Sequence, residues 1–403
     1  MSKIIAILLC VCLLFSLASC RRENSNITSS GGEIEKPIKL KVWGSQDDQA
    51  LLEEMIRSFK MANSDKTYEI TLGVVGENDA KTKVLEDPAS AADVFSFASD
   101  QLKDLVNASA LYEITRNADA IKSQNLEGTV DSAMIGDSLF AYPMTADNGY
   151  FLYYDKSVLS EEDVKSFDTM LKKAGEKGKK VLMAIDDGWY LASFFLGAGC
   201  TVTVDENGKQ VCDFNNETGV MVAESISKIA SDPAFISGDN SVLTGSIGNT
   251  ICAGVSGSWN AEAIMQKLGD NYAATKLPTF NVNGQQVQMG SFAGYKLVGV
   301  SSSTAYPVEA MKLAEWLTNE ENQLKRFEER EMGPSNINAS KSEKVAENVA
   351  LSALALQNQF ASSQKDVLGG FWDPMKALGT SFLNKDTTPI KDRLDRAVSQ
   401  IEG

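Results

Sequence analysis

The sequence predicts an α/β protein large enough for two domains, and three observations carry that expectation. Short apolar strand patterns alternate with amphipathic helix patterns from residue 38 to residue 401. The chain has 403 residues, 43% hydrophobic and 23% charged, an ordinary globular composition with room for more than one core. Residues 139–154 hold two aromatic-rich runs around a polar break. Leu139, Phe140, Tyr142 and Met144 precede the break; Tyr150, Phe151, Leu152, Tyr153 and Tyr154 follow it. Between them lies Thr145-Ala146-Asp147-Asn148, and Asp and Asn favour turns because they bond their own backbone. The stretch reads either as a β-turn inside one domain or as a strand leaving one lobe for another, with Asp147 and Asn148 at the joint.

The other elements follow in order. Residues 38–43 alternate and form a first strand. The loop carrying Gln46, Asp47 and Asp48 leads to a helix whose apolar stripe is Leu51, Leu52, Met55, Ile56 and Phe59. Ser45 and Asp48 are spaced like a helix cap, so the two aspartates either cap that helix or face a ligand. Residues 69–75 are a strand, 81–87 a short helix, and 92–98 a buried strand running into Ser99-Asp100-Gln101. Residues 111–133 mix helix and loop. After the 139–154 stretch come a helix at 164–174 and a strand at 181–185. A turn, Asp186-Asp187-Gly188-Trp189-Tyr190, then opens the helix 191–196. Cys200 and Cys212 flank a hairpin with Asn207-Gly208 at its tip, and either a disulfide or buried thiols suits them. A helix at 215–229, a short strand within 246–255 and a small-residue turn at 256–260 follow. Residues 295–300 are a strand and 308–330 one long amphipathic helix, with Trp316 inward. From residue 342 the pattern is helical, interrupted at 371–374. The last helix, 389–401, buries Ile390, Leu394, Val398 and Ile401.

Composition excludes several kinds of chemistry. There is no histidine, which removes Ser-His-Asp and Cys-His catalysis, His-ligated zinc and the usual base near pH 7. The net charge of -16 disfavours nucleic acid and anionic membrane surfaces, and serves solubility. The six cysteines match no zinc spacing, and no phosphate-binding loop or dinucleotide fingerprint occurs, so no cofactor or metal is expected. Lys3, an apolar run at residues 4–15 and small residues before Cys20 read as a signal peptide over residues 1–20. Residues 21–37 are polar and small, and read as a flexible tether.

Two resemblances add to this reading. Leu17-Ala18-Ser19-Cys20 resembles a bacterial lipobox, which implies cleavage before Cys20, lipidation of its thiol and an extracytoplasmic protein held at the outer face of the cell membrane. From residue 39 to residue 401 the chain resembles family 1 extracellular solute-binding proteins, the group around maltose-binding protein. The match rests on Tyr142-Pro143, then Asp147, then an aromatic strand ending in Tyr154-Asp155-Lys156. It continues in the strand 92–98 with its polar loop, in Ser256-Gly257-Ser258-Trp259-Asn260, and in the glycine-bearing segments 289–294 and 332–335. The family's common Trp and Pro in the 92–98 strand are Phe97 and Ala92 here.

The resemblance implies a two-lobed, periplasmic-binding-protein-like (class II) fold with a hinge of three crossings. Residues 38–145 and 293–333 would form one lobe, and 146–292 and 334–403 the other. It implies a monomer without enzymatic activity that captures an oligosaccharide, maltodextrin-like by preference, and delivers it to the transmembrane subunits of an ABC permease. A sugar presents apolar C–H faces and a rim of hydroxyls; aromatic faces take the first, carboxylates and amides the second. On that basis the ligand-binding set is Gln46, Asp47, Asp48, Phe97, Asp100, Gln101, Asp147, Asn148, Asp187, Trp189, Trp259 and Trp372. Trp43, ending the first strand, suits a structural place. A secreted glycosidase using two of these carboxylates, and a binder of polyamine or peptide, remain alternatives from other classes.

Overall fold

The computed structural model describes residues 36–403, of which Pro37–Gly403 pack as one unit. The signal segment, Cys20 and most of the tether lie outside the described residues. Two mixed sheets organise the chain. The first is built from β1 (Ile38–Gly44), β2 (Tyr68–Val74), β3 (Val94–Ala98), β4 (Tyr142–Asn148), β10 (Ser291–Val300) and β11 (Ala361–Ser363), in the order β11-β10-β3-β1-β2 with β4 also on β10. β1 runs parallel to β2 and β3, whereas β10 runs antiparallel to β3 and β4. The second is β7-β6-β8-β5-β9, made of β5 (Phe151–Asp155), β6 (Lys180–Leu182), β7 (Phe235–Ile236), β8 (Ile251–Ser256) and β9 (Tyr272–Thr275).

The 139–154 stretch joins the two. β4 belongs to the first sheet and β5 to the second, so the chain passes from one to the other here. The break falls at Gly149-Tyr150, four residues later than the polar run suggests, because residues through Asn148 still pair with β10 (Asn148 opposite Gly294). β5 is apolar from Phe151 to Tyr154 for a clear reason. Alternate side chains point to opposite faces of a strand, and both faces here are covered. Leu152 and Tyr154 enter one core with Phe167, Leu191, Phe194 and Phe371; Phe151 and Tyr153 enter another with Leu243, Ile264 and Leu354. The first sheet has its own core of Leu40, Val42, Phe59, Phe95, Phe97, Tyr142, Met144 and Leu297.

Helix α1 (Gln49–Ala62) buries the expected stripe, Leu51, Leu52, Met55, Ile56 and Phe59. The single helix expected at 308–330 is two, α4 (Pro307–Leu317) and α5 (Glu320–Arg330). Asn319 breaks it by capping α5, its side-chain oxygen accepting from the Asn322 N–H at 2.9 Å. Trp316 is half-buried on the first core and donates its indole N–H to the Met55 carbonyl at 3.1 Å. Trp43 likewise packs structurally, against Phe95 and over Gly73. The 202–212 hairpin forms with Gly208 at φ +79°, but Cys200 and Cys212 are free, buried thiols. Cys212 pairs opposite Val202, so Cys200, two residues earlier, is not its directly facing partner across the hairpin.

One contact fixes the corner that carries Trp189. Helix α2 (Gly188–Gly197) packs on α7 (Trp372–Leu383) through glycines. A Cβ on Gly188 would lie 3.0 Å from the Trp372 carbonyl, and one on Gly379 would lie 1.7 Å from the carbonyl of Ile185. The backbones must therefore approach closely. Gly379→Ala is expected to destabilise the protein by about 1–3 kcal/mol through overpacking, read as a lower midpoint in urea with an unchanged slope.

Candidate functional site

The expected ligand residues fall into three groups. The first comes together where the two sheets meet. Asp187 caps α2, its carboxylate accepting from the Trp189 N–H at 2.9 Å, so the cap fixes the helix start and with it the indole. Trp189 is half-buried, edge-on to Tyr150 at a 4.5 Å centroid distance and 5.9 Å from Trp259 with the rings 34° apart. Trp259 lies over Gly257, where any Cβ would come within 2.1 Å of the ring. Trp372 starts α7 beside Gly188 and packs edge-on against Phe292 at 5.8 Å.

Asp100 reaches this group from the first sheet. Its carboxylate accepts from the Gln364 amide at 2.9 Å, while the Gln364 carbonyl oxygen accepts from the Trp189 indole N–H at 2.9 Å. Gln364 thus joins a first-sheet loop to the second-sheet helix start. Asn148 sits beside it: a Cβ on Gly294 would lie 2.8 Å from both amides. Gly290 and Gly294 have no positive φ, so glycine here serves close backbone approach.

Asp147 forms the joint itself. It is 2% exposed. Its Oδ2 accepts from the Gly333 N–H at 2.8 Å and from the Ser258 hydroxyl at 2.5 Å; its Oδ1 has no protein partner. One carboxylate therefore holds the first crossing to the segment at Met332–Ser335 and to the turn that carries Trp259. The Ala146 N–H also donates to the Gly333 carbonyl at 2.9 Å.

The second group is engaged elsewhere. Phe97 has no exposed surface and packs on Phe95 in the first core, so it presents no stacking face. Its strand was legible; its side-chain direction was not. Gln101 is buried and spans the loop before α-helical residues 80–86, accepting from the Lys81 N–H and donating to the carbonyls of Glu77 and Asn78. The third group, Gln46, Asp47 and Asp48, makes no described contact with the indoles. Asp48 is buried and makes no capping bond to α1; it pairs with Arg330 at 3.2 Å, and the exposed Asp47 pairs with the same guanidinium at 3.4 Å. Sequence reasoning missed Gln364, Ser258, Tyr150 and Arg330. Ser258 was visible only as part of a small-residue turn, and no pattern marks Gln364.

Among the described residues no cluster of His, Cys, Asp or Glu could hold a metal, and no helix is long and apolar enough to cross a membrane.

Comparison with known proteins agrees with this architecture. Residues 54–353 match the model of the bacterial extracellular solute-binding proteins. The chain belongs to that family. It is 26% identical to the galactooligosaccharide-binding protein of Bacillus subtilis (strain 168), over 98% of this chain and 96% of that protein. A solved structure with acarbose superposes at a TM-score of 0.84, with 31% identity over 91% of this chain and 99% of its own. The maltodextrin binding protein of L. casei BL23, solved without ligand, follows at 0.77 and 25% identity over 91% of this chain and 100% of its own. The fold is thus the two-lobed one of maltose-binding-protein-like solute-binding proteins, which act as binders and work outside the cytoplasm.

Burial pushes the Asp100 carboxyl up from 3.8 to about 6, against the opposing pull of Lys81 and the Gln364 amide. The folded protein holds this proton more tightly than the unfolded chain. The stability it contributes is therefore full below about pH 3.8 and lost as pH rises through about 6. Between pH 4 and pH 7 the wild type should lose stability relative to Asp100→Asn, whose profile lacks this titration. Urea midpoints measured across that range test it; parallel profiles would refute it.

Proposed function

We propose that this protein is the substrate-binding lipoprotein of an ABC importer, capturing an oligosaccharide between its lobes and presenting it to a membrane permease. One observation carries the reading. Half-buried indoles on the second sheet's helix corners stand beside a carboxylate and amides that reach them from the first sheet, which is the mixed apolar and polar surface a sugar needs. The relatives described as binding galactooligosaccharide, maltodextrin or acarbose point the same way.

In this reading Trp189, Trp259 and Trp372 offer stacking faces; Asp100, Asn148 and Asp187 accept or donate to hydroxyls. Asp147 belongs to the hinge that positions them. Residues 38–145 and 293–333 make one lobe, and 146–292 and 334–403 the other. Sugar touching both halves favours the closed arrangement over the open one, and the permease recognises the closed form. Cleavage before Cys20 and lipidation of its sulfur hold the protein at the outer face of the membrane, with residues 21–37 as tether. Binding proceeds without catalysis, so incubation with oligosaccharide should yield no shortened product.

Titration of maltotriose, acarbose and galactotriose, followed by indole fluorescence and calorimetry, should give saturable binding with at least one. Trp189→Ala and Trp259→Ala should each weaken it about tenfold, the equivalent of roughly 1.5 kcal/mol for one stacked ring. Absence of binding by every sugar, or unchanged affinity in both variants, would overturn the proposal.

A further inference from the structure

Lys296 lies on β10, in register with Ala98 at the end of β3 and with Thr145 on β4. It therefore stands between the loop that carries Asp100 and the crossing that carries Asp147 and Asn148. The next residue, Leu297, is fully buried in the first core. Lys296 instead reaches across to the second sheet, its ammonium 5.6 Å from the ring centroid of Trp259. The side chain is half-buried.

Its partners are unusual for such a place. Among the described residues it forms no ion pair and no oxygen accepts from its ammonium. Other cations near the cleft-side loops are paired: Lys81 with Asp104 at 2.7 Å, and Arg330 with Asp47 and Asp48. A half-buried ammonium is costly to dehydrate unless its donors are met. The indole face offsets part of that cost but accepts none of its three N–H groups directionally. The Trp259 indole N–H and the Asn148 amide likewise have no hydrogen-bond partner among the described residues. Three unmet donors thus lie where the two sheets meet, the Lys296 ammonium and the Asn148 amide on first-sheet strands and the Trp259 indole N–H on the second-sheet side.

We propose that Lys296 is a ligand-contacting, specificity-determining residue, donating to the hydroxyl oxygens of a neutral sugar ring bound beside Trp259. The proposal rests on the oligosaccharide reading and adds a residue outside the set expected from sequence. A neutral ligand is favoured because Asp100 and Asp187 both bond within the group that holds Trp189, and a single ammonium does not offset two carboxylates for an acidic sugar.

The test uses the wild type, Lys296→Met and Lys296→Arg as full mature chains, with whichever of maltotriose, acarbose or galactotriose the wild type binds. Lys296→Met keeps the stem length and removes charge and donors. It should weaken affinity at least about tenfold, the loss expected for hydrogen bonds to a charged donor. Lys296→Arg should restore binding to within about threefold. The melting temperature of the ligand-free protein should stay unchanged in both, and the fluorescence of Trp259 should shift in Lys296→Met alone. Affinity of Lys296→Met within twofold of wild type, where wild type binds, would overturn this assignment and leave the oligosaccharide reading standing. Equal losses in both variants, with a lowered melting temperature, would also overturn it, by showing a packing role. If the wild type binds none of the three sugars, the functional reading fails first and the assignment fails with it.

Discussion

The arrangement depends on one buried carboxylate. Asp147 sits where the chain leaves the first sheet, and its Oδ2 is shared by a backbone N–H of Gly333 and the hydroxyl of Ser258. Those groups belong to three separate stretches of sequence, so a single side chain sets the spacing between two strand systems and the turn below Trp259. A buried charge is tolerated only when several donors meet it. Here they are one short side-chain bond and one amide, with Oδ1 left unmet.

The aromatic group and the joint are coupled through adjacency in sequence. Ser258 precedes Trp259, and Gly333 follows the stretch that ends α5, whose Arg330 holds Asp47 and Asp48. The acidic loop after β1 is thus connected to the joint through a guanidinium. Gln364 makes the matching link on the other side, between Asp100 and Trp189. Polar side chains on both flanks of the junction are set by one another, which is how loops at strand ends become a defined surface.

Much of the fold was legible because its signals are local. The stripe of α1 and the apolar run of β5 are dictated by helix period and by burial on two faces. The change of sheet within 139–154 was legible as one of two readings, with its break placed too early, and the indoles at strand and helix ends were legible too. What escaped depends on tertiary direction. Phe97 looked like a cleft aromatic because the resemblance puts the family's Trp there, yet its side chain turns into the first core beside Phe95. Gln101 looked like a hydroxyl partner, but the neighbouring segment claimed its amide donors and one bond to its oxygen. The break at Asn319 was missed because the apolar stripe runs on across it; only the cap, a side-chain bond, ends the helix there. Gln364 and Lys296 lie in a polar loop and an apolar strand, and only the pairing of distant strands brings them to the indoles.

The three described cysteines carry a practical consequence. Each is at most 3% exposed, and burial pushes the thiols up to about 12 for Cys200 and Cys212 and about 11 for Cys252. Thiolate is the reactive form, so maleimide dyes should pass these positions by in the native globule. A cysteine engineered at an exposed place such as Gln46 would then take label selectively in a recombinant chain starting near residue 36. The natural burial of sulfur makes this scaffold ready for conversion into a fluorescent sensor of its own solute.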